Sequence, residues 1–548
     1  MNDIERKENK QVETYNLLAS WKKSNGVIAS IFVFVVIAIF PLFFHDFYYD
    51  ISQAKYVFYY GSVILMIIIM LMTMVIYLHK DWNYYEWDNI KKLFQNMSIK
   101  SMRKCDWAML VFVLASVIST FQSKFFYEAF WGNEGRFMGL FLILLYGISF
   151  FVITRFFNFK RWHLDAFLIA GMIACLIGIL QYFYIDPLGF KKDISLGQYN
   201  VFASTFGNIN TYTSYVALIV GAATAAFVIE ENVVKRRWYL LAVVISLLAL
   251  ITGVSDNAYL SMAAAFGLLP LYMFKDFKGI KKYMLLVTIL FTEFWTIDLV
   301  NQAIPERVLG INSLFNVIAG YRYLEVIVIA LWVITIALYF IDGRLDKKVE
   351  KRKTSNIGRW LWLGIITLVL LGIVYILYDV NIAGHEDKYG SLNAYLMFND
   401  DWGSYRGYVW RISREIFNSF SPFQKLFGYG PDTFGIITVL NYYGDMATKY
   451  GVIFDSAHNE YLQYLITTGI IGLGAYLMLL ITSIAHMFYN SKKKMELIAI
   501  AFAVLCYGAQ AVVNISVPIV SPIMLTLLMM GVAVGNKEET VEEVIMEE

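Results

Sequence analysis

A histidine near the end of the longest polar segment is the first residue that could do chemistry. His458 lies in the stretch Asp455–Leu462, which runs into an apolar segment carrying Gly469, Gly472 and Gly474. We place His458 in the first turn of a helix at a membrane face, where the helix dipole disfavours an imidazolium. A neutral imidazole is what a general base requires, and the glycines would let a neighbouring helix approach closely. The alternative is an interfacial histidine that caps the helix.

Two arginines in the same polar segment lie on different faces of one predicted helix. At about 100° per residue, four side chains form an apolar face. They are Val409, Ile412, Ile416 and Phe420. Arg406 falls at the edge of this face, toward the membrane and the helix bundle, where a guanidinium at a helix amino end suits a phosphate. Arg411 points away and can pair with Glu415. The alternative role for Arg406 is a snorkelling arginine.

Two further arginines border apolar segments on the same predicted side of the membrane. Arg136 lies in the stretch Trp131–Leu140, and Arg322 lies in the stretch Gly320–Tyr323. Each could contact a ligand, and each could equally be an interfacial anchor.

Other polar motifs point to no metal and no nucleotide. Asp46 and Asp50 are a weak pair of potential metal ligands, and we predict no metal site. Gly428–Asp432 is a turn signal that lacks the lysine and the spacing of a phosphate loop.

The elements that must position these residues are membrane-spanning helices. Of 548 residues, 59% are hydrophobic and 16% are charged, whereas a soluble globular chain has about 25% charged residues. The net charge of +2 indicates no nucleic-acid partner. Fourteen segments approach the roughly 20 apolar residues that cross a bilayer. They are 26–44, 56–78, 107–121, 137–154, 162–183, 211–229, 238–253, 258–274, 283–300, 323–341, 360–379, 460–488, 496–513 and 517–535.

Lysine and arginine in the connecting segments predict the orientation. With the amino terminus inside, 32 of the 45 Lys and Arg residues fall in cytoplasmic segments. The sequence therefore predicts two cytoplasmic tails, two groups of helices and one large external loop with an amphipathic helix. These are the tail 1–25, a bundle of about eleven helices over 26–379, the loop 380–459, about three helices over 460–535 and the acidic tail 536–548.

Four motifs, taken together and in order, resemble those of the O-antigen ligase and O-antigen polymerase (Wzy-type, WaaL-type) superfamily. Each motif alone is weakly specific, and the resemblance covers about 130–480. The motifs are Gly132-x-x-x-Arg136-x-x-Gly139; Thr205-Phe206-Gly207-Asn208-x-Asn210; Arg406-x-x-x-Trp410 with Phe427-Gly428-Tyr429-Gly430-Pro431-x-x-Phe434; and His458-Asn459-x-x-Leu462 with Gly469-x-x-Gly472.

The resemblance implies an all-α membrane glycosyltransferase of the GT-C type that is inverting, independent of metal and without a cofactor. Such an enzyme transfers or polymerises glycan units from a polyprenyl-diphosphate-linked donor, such as an undecaprenyl diphosphate glycan. The acceptor is a glycan, a lipid or a wall polymer at the outer face of the cytoplasmic membrane. By resemblance, His458 would assist the acceptor hydroxyl and Arg406 would hold the diphosphate. Further expected substrate-binding residues are Arg136, Arg322, Asn459, Tyr461, Asn208 and Asn210.

One departure from the family pattern and two alternatives stay open at this point. Many members have Ser-Arg where this chain has Ser255-Asp256, so a second diphosphate arginine is missing there, and Arg136 or Arg322 could substitute. The sequence does not choose between polymerase and ligase. A lipid-linked oligosaccharide flippase or another transporter is the alternative from a different class, and it would favour paired repeats and midplane charges.

Overall fold

The chain folds almost entirely into α-helices. The structure is a computed structural model that describes residues 3–85, 102–312, 314–344 and 356–534. Within these ranges the α-helices are α1 Asp3–Phe34, α2 Ile51–Tyr85, α3 Lys104–Gln122, α4 Phe126–Trp131, α5 Leu140–Phe156, α6 Arg161–Tyr182, α7 Ile209–Ile229, α8 Val233–Thr252, α9 Ala258–Met273, α10 Phe277–Ala303, α11 Leu314–Ala319, α12 Leu324–Arg344, α13 Ile357–Asn381, α14 Asn393–Leu396, α15 Trp402–Ser419, α16 Pro422–Phe427, α17 Phe434–Asp445, α18 Glu460–Asn490, α19 Leu497–Gln510 and α20 Ser521–Ala533.

Short elements complete the chain trace. The π-helices are Val35–Ile39 and Met446–Tyr450, and the 3₁₀ helices are Phe40–Leu42, Leu196–Val201, Pro305–Arg307, Glu386–Leu392 and Ala511–Val513. The strands β1 (Phe202–Ala203) and β2 (Gly207–Asn208) pair antiparallel, with Phe202 opposite Asn208. This small hairpin directly precedes α7 in the chain.

An apolar helix lies at each of the fourteen predicted spans, as far as the chain is described. In the described ranges, nine helices are long and apolar enough to cross a membrane by length and composition, and four more apolar helices are shorter. Helix α8 carries the basic run Lys235–Arg237 and belongs to neither group. The all-α polytopic membrane architecture is therefore confirmed in outline, while the count of fourteen crossings stays a prediction. The predicted acidic tail 536–548 lies outside the described residues.

Helix α7 forms the centre of the bundle. Its apolar side chains are buried along nearly its whole length, and it packs chiefly against α19 and α8. At Gly221 an added Cβ would lie 2.4 Å from the carbonyl oxygen of Phe502. Such a short distance means that α7 and α19 touch backbone to backbone, which small residues permit. Helix α13, by contrast, exposes most of its apolar surface, as expected of a helix that faces lipid.

The large loop has its own hydrophobic core, which we call the loop core. Its buried residues come from α15, from α17, from the loop segments around them and, at Ile466, from α18. They are Tyr408, Val409, Ile412, Ile416, Phe420, Phe434, Ile437, Met446, Phe454, Ala457 and Ile466. All four residues of the predicted apolar face of α15 belong to it. That face was predicted to meet the membrane and the bundle; in the structure it packs against neighbouring segments of the loop and, at Ile466, against α18 of the bundle.

The loop is fixed to α18 at a break in that helix. Gly469 has φ +73°, and an added Cβ there would lie 2.3 Å from the carbonyl oxygen of Leu426, at the end of α16. Nearby, the Tyr429 amide donates to the Ile466 carbonyl at 3.0 Å. Only glycine tolerates this contact with this φ. The predicted close approach at the glycines of α18 therefore occurs at Gly469, and the partner is a loop helix.

Candidate active site

His458 lies immediately before α18 and not within it. The helix is capped by Asn459, whose side-chain oxygen accepts hydrogen bonds from the amides of Tyr461 at 3.1 Å and Leu462 at 3.0 Å. His458 has φ +46°, which costs energy for a residue with a side chain. Its predicted place in the first turn was therefore wrong, because Asn459 is the N-cap and the helix begins at Glu460, two residues after His458. The imidazole makes no hydrogen bond with any described residue.

Asn459 and Tyr461 make their described contacts with the protein itself. Asn459 supplies the cap of α18, and the Tyr461 hydroxyl donates to the carbonyl of Gly508 at 2.7 Å. The second bond ties the start of α18 to α19. Both side chains hold the segment that carries His458, and their role in substrate binding stays a prediction.

Arg406 is presented by a strained turn at the start of α15. The three residues Gly403–Tyr405 all have φ between +59° and +70°, a region that non-glycine residues rarely occupy. The regular helix begins after them, so Arg406 points back toward the bundle. Its Nε donates to the Val513 carbonyl at 3.1 Å, and one terminal nitrogen donates to the Asn257 side-chain oxygen at 3.4 Å. In the described part of the chain, no carboxylate forms an ion pair with Arg406.

Arg411 lies on the opposite side of α15, as predicted. It makes two hydrogen bonds to the carboxylate of Asp400, at 2.9 and 2.8 Å, and one to Glu415 at 2.9 Å. The side chains in these pairs are 38–43% exposed. Its charge is therefore matched by carboxylates at the surface, which leaves it unsuited to a further anion.

Arg136 comes to the site from a distant part of the sequence. Its guanidinium makes a bidentate contact with Asp455, at 3.0 Å from Nε and 2.6 Å from the terminal nitrogen. Planar bidentate pairs of this kind are the strongest of the common ion pairs. The pair connects the loop before α5 to the segment before α18, 319 residues apart in the chain.

Asp432 positions the loop that carries Arg136. Its carboxylate accepts hydrogen bonds from the amides of Asn133 at 2.7 Å and Met138 at 3.0 Å, and it is 7% exposed. Burial raises the pKa of Asp432 to about 7, although the two amides oppose the shift. Sequence reasoning treated this aspartate only as part of a turn. The available signal was an acidic residue at the end of a glycine-rich turn.

The charges around His458 favour a neutral imidazole. Burial, and then the guanidiniums of Arg406 and Arg136, lower the pKa of His458 to about 4, with Asp455 acting in the opposite direction. Burial raises the pKa of Asp455, but the contact with Arg136 outweighs it and holds that pKa below its usual value. The sequence predicted a disfavoured imidazolium from the helix dipole. In the structure, burial and two neighbouring cations disfavour it.

Asparagine side chains connect the second motif to Arg406. The Asn210 side-chain oxygen accepts from the Ser255 hydroxyl at 2.7 Å and from the Asn257 amide at 3.1 Å. Asn257 in turn accepts from Arg406. Asn208 caps α7 through the amide of Asn210 and is exposed. The structure thus links Asn210 to the arginine through Asn257.

Arg322 and the two acidic residues of the first external loop lie apart from these contacts. Arg322 is exposed, and its guanidinium lies 5.6 Å from the ring centre of Tyr323. It contacts none of the other predicted site residues that are described. Asp50 accepts a hydrogen bond from the amide of Asp46 and pairs with His45 at 2.8 Å. Among the described residues, no group of three or more metal-ligating side chains occurs.

The comparison with known families agrees with the motifs. Residues 313–477 match the family model described as O-antigen ligase. This match supports the resemblance to the O-antigen ligase and polymerase superfamily. The matched segment includes Arg406 and His458, whereas Arg136 and Asn210 lie before it. No curated protein matches the chain.

Proposed function

We propose that the protein is a membrane glycosyltransferase that joins glycan units from a polyprenyl diphosphate donor to an acceptor hydroxyl. One observation carries the proposal: burial and the guanidiniums of Arg406 and Arg136 lower the pKa of the half-buried His458 to about 4, and Arg406 has no carboxylate partner among the described residues. Such a group can accept a proton, and such a cation can bind a phosphate. The O-antigen ligase match over 313–477 supports the same class of reaction.

The proposed step breaks one bond at the anomeric carbon and forms another. The acceptor oxygen bonds to the anomeric carbon of the donor sugar and transfers its proton to His458. The bond from that carbon to the diphosphate oxygen breaks, and the polyprenyl diphosphate leaves with the electron pair. Arg406 and Arg136 stabilise the charge that develops on this oxygen. Attack on the side opposite the diphosphate inverts the anomeric configuration.

Donor binding would also prepare the base. The positive charges of Arg406 and Arg136 lower the pKa of His458. A diphosphate placed between them would offset those charges, and the pKa would rise toward its ordinary value. His458 would become a stronger base when the donor is present. Proton removal from the acceptor would thus be coupled to donor occupancy.

Arg136 is our candidate for the missing second diphosphate arginine. Its charge acts on His458, whereas Arg322 is exposed and contacts no other described site residue. The chain has Asp256 at the position where many family members have arginine, and the charge of Asp256 acts on Arg406. Arg136, in the loop before α5, would supply the second positive charge that a diphosphate requires and that Asp256 does not provide.

Purified protein in detergent tests the proposal. A lipid-linked glycan donor and a matching acceptor are mixed with the enzyme, and the product length is read on a gel. Joined glycan that disappears in the His458→Ala variant supports a transferase. A flippase or other transporter would join nothing in detergent, where no compartments exist. Growth at the lipid-linked end identifies a polymerase, and transfer to a second carrier identifies a ligase.

The proposed reaction is metal-independent and external, and both features can be tested. Activity should persist in excess EDTA, and a loss that Mg²⁺ or Mn²⁺ restores would refute metal independence. Reporters fused after Lys353 and Lys494 should be cytoplasmic, and one placed after Lys388 should be external, as the basic residues predict. Lys353 lies outside the described residues. A cytoplasmic signal at Lys388 would put the site on the wrong side of the membrane.

A further inference from the structure

Three aromatic side chains lead from the exposed edge of the large loop to His458. We call Phe398, Trp402 and Trp410 the aromatic row. The ring centres of Phe398 and Trp402 are 4.8 Å apart, and those of Trp402 and Trp410 are 5.2 Å apart. The indole nitrogen of Trp410 donates to the carbonyl of Ala457 at 3.0 Å. Since Ala457 directly precedes His458, the row ends beside the proposed base.

The polar groups of the row are already bonded to the protein. The Trp402 indole nitrogen donates to the carbonyl of Tyr395 at 2.9 Å, and the Phe398 amide donates to the side chain of Asn381 at 2.7 Å. Phe398 is nevertheless 51% exposed, and both tryptophans are half-buried. What the row offers to a ligand is therefore the faces and edges of rings held in fixed positions.

The row is also next to the proposed phosphate site. Gly403, which follows Trp402, accepts a hydrogen bond from Arg406 through its carbonyl. The strained turn that aims Arg406 at the bundle thus starts at the middle ring of the row. A molecule lying along the rings would therefore pass the turn that carries Arg406 and end at the segment that carries His458.

We propose that the aromatic row binds the sugar rings of the acceptor glycan, and this proposal rests on the proposed function. A pyranose has an apolar face of C–H groups, which packs on the electron-rich face of an aromatic ring. Its hydroxyls lie around the edge, where Asn399 and Asp401 are exposed. Rings with two rotatable bonds bind at a small entropic cost. A row of rings suits several sugars in line, which a glycan chain supplies.

The position of the row favours the acceptor over the isoprenoid chain of the donor. The row lies in the large polar loop, and the exposed carboxylate of Asp401 lies directly before Trp402 in the chain. An isoprenoid chain gains nothing from a neighbouring carboxylate, whereas a sugar hydroxyl can donate to one. The donor also has its own anchor in the two arginines.

Steady-state kinetics on two phenylalanine variants test the proposal. Phe398 and Phe423 are both 51% exposed and both lie in the large loop, but Phe423 is outside the row and contacts Phe427 instead. We expect Phe398→Ala to raise the KM for the acceptor about fivefold to tenfold and to leave the KM for the donor unchanged. Phe423→Ala should change neither. A rise in the donor KM alone, or equal effects of both variants, would overturn the proposal.

A binding measurement separates this proposal from the proposed function. The probe is the oligosaccharide released by mild acid from the surface polysaccharide of the producing cells, with glucose as the control sugar. We expect it to change tryptophan fluorescence, with Trp402→Phe and Phe398→Ala weakening that binding about fivefold or more. Such binding without any transfer would refute the transferase and keep the glycan site. Transfer that neither variant affects would keep the transferase and refute the aromatic row.

Discussion

Two cationic regions flank His458, and they differ in what balances their charge. Arg136 makes a bidentate ion pair with Asp455. Within the described ranges, Arg406 donates to neutral oxygens alone, those of Gly403, Val513 and Asn257. Burial lowers the pKa of Arg406, with Asp256 opposing the shift, so its charge is held at an energetic cost. A bound anion would relieve that cost.

This difference indicates that Arg406 is better placed than Arg136 to bind an anionic ligand. To bind a phosphate, Arg136 must give up its ion pair with Asp455, so its net contribution to the binding free energy is small. Arg406 loses no such pair when it binds a phosphate, so its full interaction energy contributes to binding. We therefore expect Arg406 to contribute more to donor binding than Arg136, and the following predictions test this ranking.

The largest effect should follow removal of the base between the two regions. His458→Ala should lower the turnover rate by about 10² to 10⁴, the usual contribution of a general base. Donor binding should persist, since the imidazole does not hold the diphosphate. The measurement pairs turnover with donor affinity in protein of matched thermal stability. A variant that loses donor binding and keeps turnover would show that His458 binds the donor and is not the general base.

Removing the unpaired arginine should come next. Arg406→Ala should lower activity by about 10² to 10³, the range seen when one group that stabilises a developing charge is removed. Unlike the histidine variant, it should also weaken donor binding. Arg406→Lys should restore only part of the loss, because lysine lacks the planar fork. Full activity in Arg406→Lys would mean that a point charge suffices.

The paired arginine should have a smaller effect that a second change can reduce. Arg136→Ala leaves Asp455 as an unpaired negative charge beside the proposed diphosphate site, and we expect a loss of about tenfold to a hundredfold. Adding Asp455→Asn removes that charge, so the double variant should be more active than Arg136→Ala alone. Donor affinities of the two single variants and the double variant give the coupling. Purely additive losses would mean that the ion pair has no part in the difference between the regions.

The pH profile should report both cations through His458. Its unprotonated form is the active base, so activity is lost as pH falls through its pKa. In the free enzyme that pKa is about 4, which sets the acid limb of kcat/KM for the donor. With the donor bound, the acid limb of kcat should lie about one pH unit or more higher, because the negative diphosphate offsets the positive charges of the two guanidiniums. If the acid limbs of kcat/KM and kcat coincided near pH 6.5, neither Arg406 nor Arg136 would be lowering the pKa of His458.

The smallest effect should come from the arginine outside both regions. Arg411 is held by Asp400 and Glu415 at the surface, and exposed pairs are worth below about 1 kcal/mol. Arg411→Ala should keep activity within about twofold and lower the thermal unfolding temperature slightly. If Arg411→Ala were inactive and Arg406→Ala active, our assignment of the phosphate site would be wrong.

Local patterns predicted the helices well and their partners less well. The spacing of Val409, Ile412 and Ile416 identified an amphipathic helix and put Arg406 and Arg411 on different sides. Periodicity says that a face is apolar and does not say whether lipid or protein covers it. That is why the loop core was not foreseen.

The parts of the site that the sequence did not predict depend on long-range contacts and on backbone conformation. The contacts of Asp432 with Asn133 and of Asp455 with Arg136 join residues about three hundred positions apart. Nothing in either segment alone pairs them. Similarly, Ser404 and Tyr405 have ordinary side chains for a helix start, yet both have positive φ. Arg406, which follows this turn, donates to the carbonyl of Val513, 107 positions away in the chain, and the local sequence does not reveal that contact.

The hydrogen bond between Arg406 and the Val513 carbonyl has a consequence for biogenesis. Ribosomes release the chain from its amino end, so α15 leaves the exit tunnel well before α19 and the segment that follows it. Until the last helices are inserted, Arg406 lacks its Val513 acceptor and α18 lacks its Gly508 anchor. A nascent or truncated chain that stops before residue 508 would therefore lack both contacts, one at the proposed phosphate site and one at the start of the helix that follows His458.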